Sequence, residues 1–158
     1  MPTARRVDAA TVRPLRTQVL RPGWAPASAV MDADDDATTA HFASERDGAV
    51  VAVGTIYPEA PPAEHRGAIP GAAYADGASF RLRGMASAPD ARGAGHGAAV
   101  LRACFAHVRD AGSTFLWCNA RVGALAFYER MGLEAVGEEF DMPEIGGHYV
   151  MWRRLDGP

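Results

Sequence analysis

A chain of 158 residues calls for one domain with a sizeable buried core, and its net charge of −3 offers no basic footprint for nucleic acid or an anionic membrane. No apolar run reaches the length of a bilayer span, and Met1–Arg6 lacks a signal peptide's apolar region. Cys104 and Cys118, the two cysteines, fall inside a predicted helix and strand rather than a disulfide framework, so a reducing cytoplasm is expected.

In chain order, residues 1–10 read as an N-terminal tail on a single domain spanning 1–158. Thr11–Leu15 predicts a short strand, Leu15–Leu20 has helical spacing, and Pro22-Gly23 stops it. Trp24–Met31 is a loop. The acidic run Asp32, Asp34, Asp35, Asp36 follows, either as a solvated loop or as a wall that attracts a cationic acceptor. It lacks the spacing and distal Glu of a calcium loop, and no metal site is expected. Thr39–Ser44 and Ala49–Tyr57 predict antiparallel strands around the turn Glu45-Arg46-Asp47-Gly48. The second of these alternates apolar residues on both faces. Pro58–Gly77 is a long Pro/Gly/Ala-rich loop of the functional or mobile kind. Ser79–Ala86 is the next strand, with Phe80, Leu82 and Gly84 on one face and Arg81, Arg83 and Met85 on the other.

Ser87–Ala111 is the stretch around which the rest is organised. A strand ends near Ser87, a turn carries Gly93, Gly95 and Gly97, and a helix opens near His96 with Val100, Leu101, Cys104, Phe105 and Val108 on one face. No Ser, Thr, Asp or Asn stands immediately before it as an N-cap, so its first amides are free for phosphate groups. The chain contains no lysine, which closes the Walker A reading. A dinucleotide fold would need G-x-G-x-x-G straight after the first strand, whereas this turn lies past mid-chain with another spacing. Ser113–Asn119 is a buried strand, Val122–Met131 a helix stopped by Gly132, and Leu133–Phe140 and Tyr149–Leu155 are closing strands around Met142–His148. The element order predicts a mixed α/β sheet.

Arg92-x-x-Gly95-x-Gly97, preceded by Pro89, resembles the pyrophosphate-binding motif of the GNAT superfamily of N-acetyltransferases. Ala124-x-x-Phe127-Tyr128-x-x-x-Gly132-Leu133 resembles a second segment of that family, in the expected order one helix and one strand later. The resemblance covers about residues 11 to 155. It implies the acyl-coenzyme A acyltransferase fold: a mixed, mostly antiparallel sheet flanked by helices, with splayed central parallel strands. It further implies direct acetyl transfer from acetyl-coenzyme A to a primary amine, a small molecule or a peptide, in a ternary complex. A homodimer is left open. The loop Arg92, Gly93, Ala94, Gly95, His96 and Gly97 would hold the pyrophosphate. The backbone of Met85, Ala86 and Ser87 would pair with the pantetheine arm. Many members have Asn seven residues before the tyrosine; here that position is Arg121, and Asn119 lies two residues earlier as the candidate contact.

The chemistry needs a base, because a lysine-like amine with a pKa of about 10.4 is protonated at neutral pH. Tyr128, as in the family, would give the leaving thiolate its proton; the plainer reading is a core tyrosine beside Phe127. His41, Glu138, Glu139, Asp141, Glu144 and His148 are candidate bases by chain position. His148 and Glu144 are expected to border the acceptor pocket, since Gly146-Gly147 lets the backbone approach a ligand and Ile145-Gly146-Gly147-His148 with Met151 loosely resembles I-G-P-H-x-x-M in some members. An ordinary imidazole could take the proton; alternatively His148 bonds a backbone carbonyl. The rival from another class is a non-catalytic acyl-coenzyme A-binding or sensing module.

Overall fold

The computed structural model describes residues 1–156. The chain forms two compact units, Met1–Tyr57 with Leu82–His107, and Pro58–Arg81 with Val108–Pro158. Among the described residues seven strands, β1 (Ala4–Val7), β2 (Ala40–Arg46), β3 (Ala49–Pro58), β4 (Ser79–Ser87), β5 (Phe115–Arg121), β6 (Glu134–Met142) and β7 (Gly146–Arg154), have the hydrogen-bonded order β1-β2-β3-β4-β5-β7-β6.

In the first unit, β1 (Ala4–Val7) pairs antiparallel with β2 (Ala40–Arg46), and β2 antiparallel with β3 (Ala49–Pro58). The β2–β3 turn is the one the sequence predicts. Asp47 at φ 53° and Gly48 at φ 82° both take the left-handed conformation that two-residue hairpin turns require. Val51–Tyr57 is buried throughout, as its double-sided apolar pattern suggests.

Two corrections fall at the N-terminus. Residues 4–7, read as tail, form β1, and Thr11–Leu15, read as strand, lies inside helix α1 (Ala9–Leu20). Asp8 caps that helix, its Oδ1 accepting from the Thr11 amide at 2.9 Å and the Thr11 hydroxyl at 2.6 Å. Val12, Leu15 and Arg16 are buried, at the i, i+3, i+4 spacing of one helix face. Val12 and Leu15 join Ala43, Val53 and Ala86 in one apolar cluster.

Strand β4 (Ser79–Ser87) belongs to the second unit through Arg81 and to the first from Leu82. Its expected alternation stops at Gly84, which sits at φ 65°. Helix α2 (His96–Asp110) opens where the sequence places it and buries Val100, Leu101, Cys104, Phe105 and Val108.

In the second unit, Ser79–Arg81 pairs parallel with Phe115–Trp117 of β5 (Phe115–Arg121), three register pairs among the described residues. β5 pairs antiparallel with β7 (Gly146–Arg154), and β7 with β6 (Glu134–Met142). Helix α3 (Leu125–Arg130) precedes β6. It closes with Leu133 N donating to Tyr128 O and Gly132 N to Glu129 O, with Gly132 at φ 87°. The Pro58–Gly77 segment is tied down by two 3₁₀ turns, Ala63–His65 and Gly71–Tyr74, by buried Ile69 and Ala73 against Phe115, and by the Tyr74 hydroxyl donating to Pro62 O at 2.8 Å.

Candidate active site

The glycine loop lies in the first unit. Ala88 N donates to Val51 O at 2.8 Å, which fixes the exit of β4 beside β3. A 3₁₀ turn, Pro89–Ala91, follows, with Ala91 buried. Arg46 holds this turn from outside, its Nη2 3.0 Å from Asp90 Oδ2 and its Nη1 donating to Asp90 O. Arg92, Gly93, Ala94 and Gly95 are then exposed. Gly93 and Gly95 have φ of 84° and 94°, values that strain any residue with a Cβ. A Cβ at Gly93 would meet nothing within 4 Å, and at Gly95 only the Pro2 ring at 3.6 Å, so conformation rather than crowding requires glycine there.

The first intrahelical bond of α2 runs from Ala99 N to Gly95 O. The amides of His96, Gly97 and Ala98 precede it and have no intrahelical partner. Left-handed glycines leading into helix-terminal amides without intrahelical partners, beside an exposed guanidinium, make an arrangement that suits an anion such as a pyrophosphate. The His96 ring turns inward, its Nδ1 2.8 Å from Ser44 Oγ, and so anchors the helix start to β2.

Just upstream, the side chains of Met85 and Ala86 are committed to the interior. The Met85 thioether lies 2.6 Å from where a Cβ on Gly54 would stand, and Ala86 packs in the Val12–Leu15 cluster. What Met85 and Ala86 can present to a ligand is therefore mainly backbone.

The remaining predicted residues lie in the second unit. Asn119 stands opposite Val150, Arg121 opposite His148, and His148 opposite Phe140. Strand alternation puts Asn119, Arg121, His148 and Phe140 on one face of that unit's sheet. Asn119 Oδ1 is buried and accepts no hydrogen bond from the described residues. Such an orphaned acceptor fits a ligand N–H.

His148 is buried and stacks on Phe140 with ring centroids 5.7 Å apart. Its Nδ1 is 2.8 Å from Gly146 O. A carbonyl only accepts, so Nδ1 carries the hydrogen and Nε2 carries the lone pair of the neutral ring. The plainer expectation for His148, a bond to a backbone carbonyl, is met, and the same bond leaves Nε2 as the basic nitrogen. Tyr128 is buried, edge-on to Phe127 at 5.2 Å. Glu144 is exposed at the tip of the β6–β7 hairpin with φ 69°. The residue brought against Gly147 is instead Glu139, whose Oε2 lies 2.6 Å from the position of a Cβ there.

His41 is spent elsewhere. Thr55 Oγ1 accepts from Arg16 Nη2 at 2.8 Å and forms a hydrogen bond with His41 Nδ1 at 2.7 Å. His41 Nε2 donates to Asp34 O at 2.9 Å. Both ring nitrogens are thus engaged in the first unit's interior. Burial pushes both thiols, Cys104 and Cys118, up to about 12, which rules out a resting thiolate nucleophile.

The acidic run splits. Asp32, Asp35 and Asp36 are exposed, but Asp34 is buried in a two-pronged pair with Arg16, Nη1 to Oδ2 at 2.8 Å and Nη2 to Oδ1 at 3.1 Å. The amino-acid pattern alone assigns no role to Arg16 and Asp34, because a pair 18 residues apart leaves no local signal.

Comparison with known proteins is consistent with this geometry. The chain is 26% identical over 141 residues, 89% of its length and 88% of the relative's, to the protein of Bacillus subtilis (strain 168) named uncharacterized N-acetyltransferase YitI. Its fold matches the ribosomal-protein-S18-alanine N-acetyltransferase of Escherichia coli with a TM-score of 0.72 at 15% identity, covering 100% of this chain and 96% of that one. It matches an aminoglycoside 6'-N-acetyltransferase complexed with coenzyme A with a TM-score of 0.72 at 11% identity, covering 98% of each chain. Residues 10–133 match the acetyltransferase (GNAT) family, and the chain belongs to that family.

Proposed function

We propose that the chain is an acetyl-coenzyme A-dependent N-acetyltransferase that moves the acetyl group to a primary amine, on a small molecule or a peptide, by direct attack in a ternary complex. The observation that carries this reading is the α2 N-terminus: Gly93 and Gly95 in left-handed conformation, amides at His96–Ala98 that precede the first intrahelical bond, and exposed Arg92. Family membership and the coenzyme A bound in a fold neighbour support it.

Bound acetyl-coenzyme A supplies an activated thioester. The loop from Arg92 to Gly97 holds its phosphates through backbone amides and the Arg92 charge. The backbone of Met85, Ala86 and Ser87 aligns the amide groups of the arm. Asn119 Oδ1 accepts an N–H from the same arm, which relieves the buried orphan. On the acceptor side, His148 Nε2 takes the proton that the attacking amine must lose. Glu144 at the hairpin tip offers negative charge to the incoming ammonium. Tyr128 Oη holds the proton that the departing sulfur takes up. A calorimetric titration of coenzyme A into the chain tests the cofactor half directly: saturable one-to-one binding is expected, and no heat of binding would remove the loop's assigned role.

A further inference from the structure

We infer that Arg16 is a positioning residue for coenzyme binding, acting through the backbone of Gly84; this rests on the proposed use of Met85–Ser87. Arg16 is the largest side chain with no solvent exposure among the described residues, and its guanidinium is held at four of its five N–H groups. Nη1 donates to Ala29 O at 2.8 Å and to Asp34 Oδ2 at 2.8 Å. Nη2 donates to Asp34 Oδ1 at 3.1 Å and to Thr55 Oγ1 at 2.8 Å.

The fifth, on Nε, has no acceptor among the described residues. It lies against Gly84, where a built Cβ would stand 2.8 Å from Nε and 3.4 Å from Cζ. A buried donor without an acceptor is unfavourable, so hydrogen bonding does not account for that part of the placement. Shape does: the guanidinium fills the notch left by the missing side chain, at the residue whose φ of 65° breaks the alternation of β4.

The next residue is fixed in the same manner. Met85 Sδ occupies the notch over Gly54, 2.6 Å from a Cβ there, where Val100 Cγ1 also lies at 2.9 Å. Ala86 then packs in the Val12–Leu15 cluster. Consecutive β4 residues are thus seated by Arg16 at Gly84, by Gly54 at Met85 and by the core at Ala86, immediately where the arm is proposed to pair. Thr55 and Gly54, neighbours on β3, serve the two halves of this seat.

The test compares Arg16→Lys, which keeps a cation for Asp34 but loses the planar plate, with Gly84→Ala, which keeps Arg16 and all its partners but fills the notch. Each is titrated with coenzyme A well below its own unfolding midpoint, beside Ile69→Ala, a core truncation in the other unit, as a control for lost stability. Misplaced groups weaken binding steeply, so both variants are expected to raise the coenzyme A Kd by about tenfold or more, with the KM for acetyl-coenzyme A rising and kcat at saturation nearly kept. Ile69→Ala is expected to bind like the parent. If the parent binds coenzyme A and folded Arg16→Lys and Gly84→Ala bind it equally well, the positioning role is overturned while the proposed function stands. The positioning role is equally overturned if all three variants weaken binding alike, or if neither Arg16→Lys nor Gly84→Ala folds, since Arg16 then serves stability alone. A parent that binds no coenzyme A overturns the proposed function and this inference together.

Discussion

At the scale of single residues, what separates an active group from a packed one is where its hydrogens are committed. His41 and His148 are both buried, yet His41 has both nitrogens engaged and His148 has Nε2 left basic. His148→Ala is therefore expected to raise the acceptor KM or shift the alkaline rise of kcat/KM, with coenzyme A affinity unchanged; a parent-like pH profile and KM would transfer the base role to a carboxylate such as Glu139. Tyr128→Phe keeps the ring against Phe127 and removes only the hydroxyl. It should lower kcat by about 10²–10⁴-fold, the usual range for general acid assistance, with little change in coenzyme A binding. Parent-like turnover would make Tyr128 structural.

Asp34 gives the one pH prediction. Burial pushes its carboxyl up, but the Arg16 hydrogen bond, the Met31 amide and the Arg16 charge outweigh that and hold it below the usual carboxylate value. A group depressed in the folded state binds more protons when unfolded, so stability rises with pH across the gap. The stabilisation is full above the ordinary Asp value of about 3.9 and is lost as pH falls through the lower, folded value. Asp34→Asn should flatten this acid-side loss and, by leaving the Arg16 charge unpaired, lower stability at neutral pH by about 3–5 kcal/mol. Urea midpoints measured from pH 7 down to pH 3 check both effects.

At the scale of elements, local signals were legible and non-local ones were not. The Asp47-Gly48 turn, the start of α2 at His96 and the stop at Gly132 depend on a few adjacent residues, and each stands where the sequence places it. Thr11-Val12-Arg13-Pro14 reads as extended because two β-branched residues precede a proline. The Asp8 cap and the burial of Val12, Leu15 and Arg16 override that preference. β1 leaves no clear pattern because Ala4-Arg5-Arg6-Val7 pairs only with β2 and buries neither arginine. The close packing at Gly84 leaves no local signal because the side chain seated against it, Arg16, arrives from α1. For the loop itself, Gly95→Asp combines strain at φ 94° with a negative charge at the helix N-terminus. It should abolish coenzyme A binding in a calorimetric titration while the chain stays folded, since a side chain there meets only Pro2 at 3.6 Å. Parent-like affinity would take the loop out of the site.

At the scale of the whole molecule, the proposed roles divide between the units. The first holds the phosphate loop and Met85–Ser87, and the second holds Asn119, Tyr128, Glu144 and His148. Membership in the acetyltransferase (GNAT) family is shown by residues 10–133, whereas the acceptor is named by no motif in the sequence. The most direct test of the central claim is the release of free thiol from acetyl-coenzyme A over a panel of polyamines, amino acids, aminoglycosides and peptides with free N-termini. Thiol release that depends on at least one amine, matched by an acetylated product of that amine and lost in Gly95→Asp, is the predicted result. Tight coenzyme A binding with no amine-dependent thiol release across the panel would contradict it and identify the chain as a binding module.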